Sequence, residues 1–246
     1  MKVTARVENI FAHAVAMDSR GLRNTIHCVG TNVFIVNFDH SMILRFPLRR
    51  SELQFPEPVS FNANDYDSAD FDVVDGKIVF KTVEGDYERR KACSLANYDV
   101  HEIRRIYHQL ISAATDDFVF YLSKDVCSLL DEQLSHVELA VVGHGLQLCQ
   151  RNVYTGTVIQ ITPRRKGAFD VDESKLPEVF GPVGLKTKDF TSLFAFCDSL
   201  AFHPTADYLV VKDHARRDFD GVLALCKYDE MINLFPTEAN NGWQES

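Results

Sequence analysis

The side chains that could support catalysis are dispersed along this chain. The nearest approach to a nucleophilic site is His144 with Cys149, to which Asp131 or Glu132 could add a carboxylate. Successive residues of a strand point to opposite faces, so a histidine at a turn and a cysteine at odd separation on the next strand would not meet. We therefore expect no Cys-His nucleophile in this protein.

Motifs for metals and nucleotides are weak as well. The 9 histidines show neither HxxH nor HxxxH spacing, and the 6 cysteines form no CxxC pair. The stretch VVGHGLQL is followed by a strand pattern, whereas a phosphate-binding loop leads into a helix. We expect ordinary core cysteines, a hairpin turn at these glycines, no metal, no cofactor and no enzymatic activity.

Composition limits the remaining classes. The 246 residues are 46% hydrophobic, enough for one large core or for two of about 100 to 120 residues each. No apolar run approaches the roughly 20 residues of a membrane span, and the N-terminus lacks a signal-peptide pattern, so we expect a soluble, intracellular protein. The net charge of −9 opposes nucleic-acid binding by bulk positive charge, so any such contact must be local.

The elements that must position any functional residue occur twice. Residues 26–50 and 139–165 share a Val-Gly step, two strand patterns, a proline and an arginine pair. A second echo follows in the same order, since VSFNANDYDSADF from Val59 aligns with VGLKTKDFTSLFAF from Val183. Two echoes in register indicate a duplicated domain.

Hydrophobic periodicity extends the repeat to four units, each of a strand, a helix and three strands. The predicted helices span 7–17, 64–70 as a short segment, 123–134 and 188–201. The predicted strands span 1–7, 25–29, 33–38, 41–46, 59–63, 71–74, 77–83, 89–95, 118–122, 137–142, 146–151, 157–162, 183–187, 201–202, 208–212 and 221–227. An amphipathic helix within 96–116 has no counterpart in the second half and is predicted to connect two domains.

This arrangement resembles a DNA sliding clamp of the two-domain type, as in proliferating cell nuclear antigen and the clamps of large-genome phages. The resemblance covers about residues 1–230 and is one of arrangement, without a diagnostic motif. It implies an α+β clamp fold with an N-terminal domain at 1–97, a connector at 98–116, a C-terminal domain at 117–232 and a mobile tail at 233–246. Each domain would contain two β-α-β-β-β units, with helices on one face of continuous antiparallel sheets.

The resemblance also implies a function and its partners. Three subunits would close into a ring around double-stranded DNA and tether a DNA polymerase, with a clamp loader opening the ring. The cytoplasm of a bacterium or of an infected host cell would be the location. Helix-side positions implied to contact DNA are His13, Arg20, Lys124, Arg151, Lys186 and Lys188. An apolar groove for a partner peptide would involve Ile106, Tyr107, Leu110, Ile232, Leu234 and Phe235.

Two observations leave alternatives open. Carboxylates on or near the same helices would cancel part of the attraction for phosphate, so the chain could instead be a clamp-fold processivity factor that binds DNA as a monomer or dimer through one basic face. An enzyme or an assembly protein with duplicated α+β domains is the third alternative. The lack of a clustered acid, base or nucleophile set argues against an enzyme. The opposing carboxylates are Asp125, Asp131, Glu132 and Asp198.

Overall fold

The computed structural model describes residues 4–17, 24–93, 99–114, 119–142, 145–152, 155, 158–161, 179–227 and 230–231. The chain divides into two compact units, residues 1–108 (unit 1) and 109–246 (unit 2). Both have an α+β architecture in which antiparallel sheets dominate and helices are few.

Unit 1 contains two antiparallel sheets, and one helix precedes them. The first sheet has the order β4-β1-β2-β3 and the second has the order β5-β6-β7. The elements are α1 (Ala5–Ala16), β1 (Thr25–Gly30), β2 (Asn32–Val36), β3 (Met42–Pro47), β4 (Phe55–Asn62), a 3-10 helix (Ala63–Asp65), β5 (Phe71–Val74), β6 (Lys77–Glu84) and β7 (Tyr87–Ala92).

Helix α1 begins earlier than the sequence pattern predicts. Thr4 is extended and its hydroxyl accepts a hydrogen bond from the Val7 amide at 3.5 Å, so the helix starts at Ala5 and the predicted strand at 1–7 is wrong for residues 5–7. The buried face of α1 places Phe11 edge-on to Phe61, with ring centroids 5.5 Å apart. Aromatic packing therefore holds α1 against the sheet of β4.

Two-residue turns set the register of the second sheet. Asp75 and Gly76 both have positive φ, 52° and 70°, as a type I′ hairpin requires. Gly85 alone has positive φ at the next turn, as in a type II′ hairpin. Both turn types match the natural twist of strands, which explains why β5, β6 and β7 follow one another without a longer loop.

Helix α2 (Val100–Ala113) crosses the boundary between the units, and its buried positions include Val100, Ile103 and Ile106. Within unit 1, the fully buried ring of Tyr107 packs edge-on against Phe34 at 5.5 Å. A helix is thus present within the segment 96–116 where the sequence predicts one, and its apolar side is used for packing.

Unit 2 also contains two antiparallel sheets. One has the order β15-β14-β13-β8 and the other has the order β11-β10-β9-β12-β16-β17. The elements are β8 (Phe120–Ser123), a 3-10 helix (Lys124–Leu129), β9 (His136–Val142), β10 (Gly145–Arg151), β11 (Val158–Ile161), β12 (Val179–Lys186), α3 (Thr187–Leu193), β13 (Ser199–Pro204), β14 (Tyr208–Asp213), β15 (Asp220–Ala224), β16 (Cys226–Lys227) and β17 (Glu230–Met231).

The two repeats inside unit 2 exchange their first strands. Strand β8 pairs with β13 of the following repeat, and β12 pairs back with β9 of the preceding one. Strand β4 pairs with β1 in the same way in unit 1. Phe120 and Phe202, opposite each other in register, stack at 5.0 Å, and α3 covers them through Phe190. Each unit is therefore built around strand pairs that join its two repeats.

The helices of unit 2 are shorter than predicted. The segment 123–134 forms only the 3-10 helix Lys124–Leu129, because the chain turns at Asp131, whose amide donates to the Gln150 side chain at 2.7 Å. The segment 188–201 ends its helix at Leu193, because Ser199–Pro204 pairs on both sides as β13. Ladder hydrogen bonds from two neighbours outweigh local helical periodicity.

Strand β4 starts at Phe55, four residues before the predicted strand at 59–63. Pro56 and Pro58 are tolerated because β4 lies at the edge of its sheet, where one side of the backbone needs no ladder partner.

Candidate DNA-binding and partner-binding surfaces

One face of each unit carries the short helices, and we call it the helix side. In unit 2 it is identified by Gln150, whose amide nitrogen donates to the Thr187 hydroxyl at the start of α3 at 3.2 Å. Because strand residues alternate, Cys149 and Arg151 point to the opposite face of β10. The alternation of strand residues, together with the position of the helices, assigns each predicted DNA contact of unit 2 to the helix side or to the opposite face.

Two of the predicted cations lie on helix-side elements. Lys124 begins the 3-10 helix and Lys188 lies in the first turn of α3, and both are exposed. Among the residues that the structure describes, neither has an ion-pair partner. Asp125 is exposed beside Lys124, and Asp189 follows Lys188, so each lysine has a carboxylate as its chain neighbour.

Two other predicted cations lie on the opposite face. Arg151 is exposed, and its Nε lies 3.3 Å from the carboxylate of Glu138. Lys186 stands opposite His136 in the ladder, and it alternates with the buried Leu185. The structure therefore separates Arg151 and Lys186 from Lys124 and Lys188.

The first helix contributes little positive charge. His13 is half-buried, and burial lowers the pKa of its imidazole, so it is neutral at pH 7. Arg20 lies outside the described residues. The exposed positions of α1 carry one carboxylate, Glu8, and no described cation; they are Ala5, Glu8, Asn9, Ala12 and Ala16.

The basic cluster Arg89, Arg90 and Lys91, for which the sequence favours a solvated turn over a phosphate contact, places two cations on the helix side of unit 1. Lys91 stands opposite the buried Phe80 in the ladder, so Arg89 and Lys91 point toward the helix side. The Lys91 ammonium donates to the Asp65 carbonyl at 3.1 Å, and Arg89 pairs with Asp67 at 2.7 Å. The available signal was the period of two in YERRKA, which assigns alternate residues to alternate faces.

The predicted partner groove is only partly accessible. Ile106 and Tyr107 are 2% and 0% exposed, because they pack inward. Leu110 is half-buried, and its carbonyl accepts a hydrogen bond from the Tyr208 hydroxyl at 3.0 Å. Ile232, Leu234 and Phe235 lie outside the described residues.

An exposed aromatic side chain marks the turn between β2 and β3. Phe38 is 56% exposed. The turn is held by the side chain of Asn37. Its Nδ2 donates to the Ser41 hydroxyl at 2.7 Å, and its Oδ1 accepts from the backbone amide of Met42 at 2.8 Å. A fixed turn that displays an aromatic ring has the properties of a protein contact point.

Strand β7 offers unused backbone hydrogen-bonding groups. Cys93 donates to the Ile78 carbonyl at 2.9 Å, which makes that pair a hydrogen-bonded one in the β6–β7 ladder. Every second pair is then hydrogen-bonded, so the amides and carbonyls of Glu88, Arg90 and Ala92 point away from β6. Among the described strands β7 has no neighbour on this side, so this row could pair with a strand of another chain.

The described residues offer no obvious catalytic chemistry. They contain no group of three or more His, Cys, Asp or Glu side chains that could hold a metal ion. Burial raises the pKa of the Cys93 and Cys197 thiols to about 12, so neither is a thiolate at pH 7. None of the helices in the described part of the chain is long and apolar enough to cross a membrane.

Comparisons with known proteins give a consistent result at the level of the fold. No family model matches the sequence, and no curated protein matches it. The structure is similar to DNA polymerase III subunit β of Borrelia burgdorferi, solved in complex with a natural product. The TM-score is 0.58 at 13% identity, covering 88% of this chain and 61% of that one. The chain has the fold of a DNA sliding clamp.

A second solved structure supports the same conclusion. The DNA polymerase III subunit β of Pseudomonas aeruginosa matches with a TM-score of 0.54 at 9% identity, covering 89% of this chain and 65% of that one. This clamp-fold chain therefore spans less than two thirds of the length of the structures it resembles.

Proposed function

We propose that this clamp-fold protein is a non-enzymatic processivity factor, in which three copies close into a ring on duplex DNA and tether a DNA polymerase. The observation that carries the proposal is that strand pairs join the two repeats of each unit, β4 with β1 in unit 1, and both β8 with β13 and β12 with β9 in unit 2. A ring linked to DNA keeps a polymerase at high effective concentration without requiring a tight DNA contact.

The free sheet edges are the proposed joints of the ring. Strand β7 is an edge of unit 1, and β11 is an edge of unit 2. Pairing β7 of one copy with β11 of the next would satisfy the outward backbone groups of both strands. Such a head-to-tail contact leaves neither of these two edges open once the ring has closed.

This proposal requires only weak contact between the protein and DNA. Lys124 and Lys188 on unit 2, with Arg89 and Lys91 on unit 1, are the helix-side cations. Arg89 is already paired with Asp67, which reduces its attraction for phosphate. Each phosphate contact contributes about 0.9 to the salt slope of duplex binding, so a small slope is expected.

The sparse charge of α1 favours a second candidate function. Its exposed face carries Glu8 and no described cation, which suits poorly a helix that faces phosphates. The second candidate is a clamp-fold processivity factor that acts as a monomer or dimer and holds DNA on one basic face. It requires tight, salt-dependent binding to linear DNA without a loader.

The mass of the particle in solution tests the ring. At micromolar concentration we expect three times the 27.9-kDa mass of one chain. Arg90→Pro removes an outward amide of β7 that β6 does not use, so it should give monomers with an intact fold. Arg90→Ala is the matched control, because it also loses the Arg90–Glu88 ion pair but keeps the amide. A wild-type monomer at micromolar concentration contradicts the ring.

Polymerase extension on a long primed circular template tests the function itself. We expect longer products with the protein present, and a requirement for a clamp loader if the ring is closed. A loader-independent stimulation that disappears with added salt would support the second candidate. Products of unchanged length, both with and without the clamp loader, would refute both candidate functions.

The turn that carries Phe38 is the proposed partner contact in unit 1. Phe38→Ala should weaken stimulation of the polymerase without changing the mass of the particle, because the phenyl side chain of Phe38 is exposed and takes no part in the contacts between subunits proposed above. Val83→Ala is the matched control, since Val83 is also exposed in unit 1, at 70%. Equal effects of the two variants would contradict this assignment.

A further inference from the structure

Unit 2 contains a cavity of about 470 Å³ on the sheet formed by β8, β13, β14 and β15. This volume is within the roughly 300 to 1,000 Å³ typical of small-molecule sites. Ala201 lies opposite Tyr121 on one side and Lys212 on the other. A methyl group between two long side chains leaves a hollow, and Ala201 alternates with Phe202, so the cavity opens on the face opposite the helix side.

The rim of the cavity is held in place by a buried carboxylate. Asp213 is 2% exposed, and it accepts hydrogen bonds from the amides of Ala215, Arg216 and Asp218 at 3.1, 3.3 and 3.0 Å. Its own amide donates to the Phe219 carbonyl at 3.1 Å. The loop that follows β14 is therefore organised before any ligand arrives, which lowers the entropic cost of binding.

The lining contains two cations as well as two carboxylates, Asp213 and Asp220. Lys212 and Arg217 line the cavity, and among the described residues neither side chain has a hydrogen-bond or ion-pair partner. The Asp213 carboxylate accepts hydrogen bonds from loop amides, and Asp220 stands opposite Lys212 in the ladder of β14 and β15. The two cations can each donate a charge-assisted hydrogen bond to an anion in the cavity.

One wall of the cavity is aromatic. The rings of Tyr121 and His214 lie 4.6 Å apart between centroids, at 59°. Flat heterocycles stack on such side chains, and an arginine fork recognises phosphate oxygens in pairs. We propose that this cavity binds a nucleoside phosphate, with the phosphate at Lys212 and Arg217 and the base against Tyr121 and His214.

The ligand could be a free nucleotide or one exposed unit of a single strand, since both present the same base and phosphate. The site goes beyond the proposed clamp function, because neither a closed ring nor a polymerase is needed for it. A monomeric particle would refute the ring and leave this binding intact, so the two proposals can fail separately.

Binding to the full chain alone tests the proposal. Calorimetry with ATP and fluorescence anisotropy with a labelled ten-residue oligothymidylate are expected to show saturable binding. Lys212→Met should weaken both by about tenfold or more, since a charge-assisted contact is lost. Arg217→Asn should do the same. Asparagine is chosen because Arg217 has φ +56°, which few other residues tolerate. Tyr121→Leu should weaken both about tenfold through loss of stacking.

Arg90→Ala is the matched control, because Arg90 is an exposed arginine of unit 1 and its loss should leave the affinity unchanged. Thermal melting followed by circular dichroism verifies that each variant is folded. Tighter binding of the oligonucleotide identifies a strand as the source, and equal or tighter binding of ATP identifies a nucleotide; either supports the site. Three results overturn it: no saturation at millimolar ligand, inorganic triphosphate binding as tightly as ATP, or folded Lys212→Met and Arg217→Asn variants with wild-type affinity.

Discussion

Acidification should destabilise unit 1 through one buried histidine. His27 is 0% exposed in the middle of the first sheet. One ring nitrogen lies 2.7 Å from the Ser60 hydroxyl and the other lies 2.8 Å from the Thr25 hydroxyl. Burial, with a smaller contribution from the charge of His40, lowers the pKa of His27 from 6.5 to about 3. The folded protein therefore keeps this imidazole neutral where the unfolded chain would protonate it.

The sign and size of the effect follow from linkage. The unfolded state binds more protons below pH 6.5, so the free energy of unfolding falls as the pH drops from 6.5 toward 3. The shift of His27 from 6.5 to about 3 corresponds to about 5 kcal/mol in full, at ~1.4 kcal/mol per pH unit. At pH 5 only the first part of this window has been crossed, and the loss from His27 is about 2 kcal/mol.

Urea unfolding of the wild type and of His27→Gln isolates the contribution. Glutamine keeps a donor and an acceptor near the two hydroxyls but does not titrate. Between pH 7 and pH 5 the wild type should lose about 2 kcal/mol more than the variant does. Burial also lowers the pKa of His13 and His40, but both are present in each protein and cancel in the difference. Equal losses in the two proteins would refute the reasoning.

Four further substitutions test the packing and the turns. Phe80→Ala removes a fully buried ring that packs on two other phenylalanines, and should cost about 3 to 5 kcal/mol in urea unfolding. Gly181→Ala should cost about 2 to 4 kcal/mol and lower the melting temperature, since Gly181 has φ +83° and an added Cβ would meet the Leu139 carbonyl. Gly76→Ala, at φ +70° with open space around it, should cost only ~1 to 2 kcal/mol. Asn37→Ala loses both side-chain hydrogen bonds of its turn and should cost about 1 to 3 kcal/mol, measured by urea unfolding.

Strands were predicted more accurately than helices, for a physical reason. The predicted strand at 71–74 matches β5, and the one at 77–83 matches β6 to within a residue. Their turns are coded locally, by Asp-Gly and Gly-Asp, and their alternation is visible along the chain. The segment 188–201 failed because β13 is stabilised by β8 and β14, which are distant in sequence.

The candidate surfaces were less predictable than the fold. The cluster at Arg89, Arg90 and Lys91 is divided between two faces, which follows only once β7 is known to continue to Ala92. Arg217 enters the cavity of unit 2 because of a left-handed backbone and the amide contacts of Asp213. Neither feature can be predicted from the pattern of residue types.

The edge of β7 combines one feature that favours pairing with another strand and one that favours an unpaired, solvated edge. Its outward amides invite a partner strand, whereas exposed charged side chains, such as Arg90 and Glu88, are a common means of keeping an edge solvated. These two side chains pair with each other at 2.6 Å on the face of the sheet, so their charge is compensated within the chain and does not oppose an approaching strand as a lone charge would. Backbone pairing at this edge therefore requires no burial of an isolated charge. The same compensated charge keeps the edge solvated while it is unpaired.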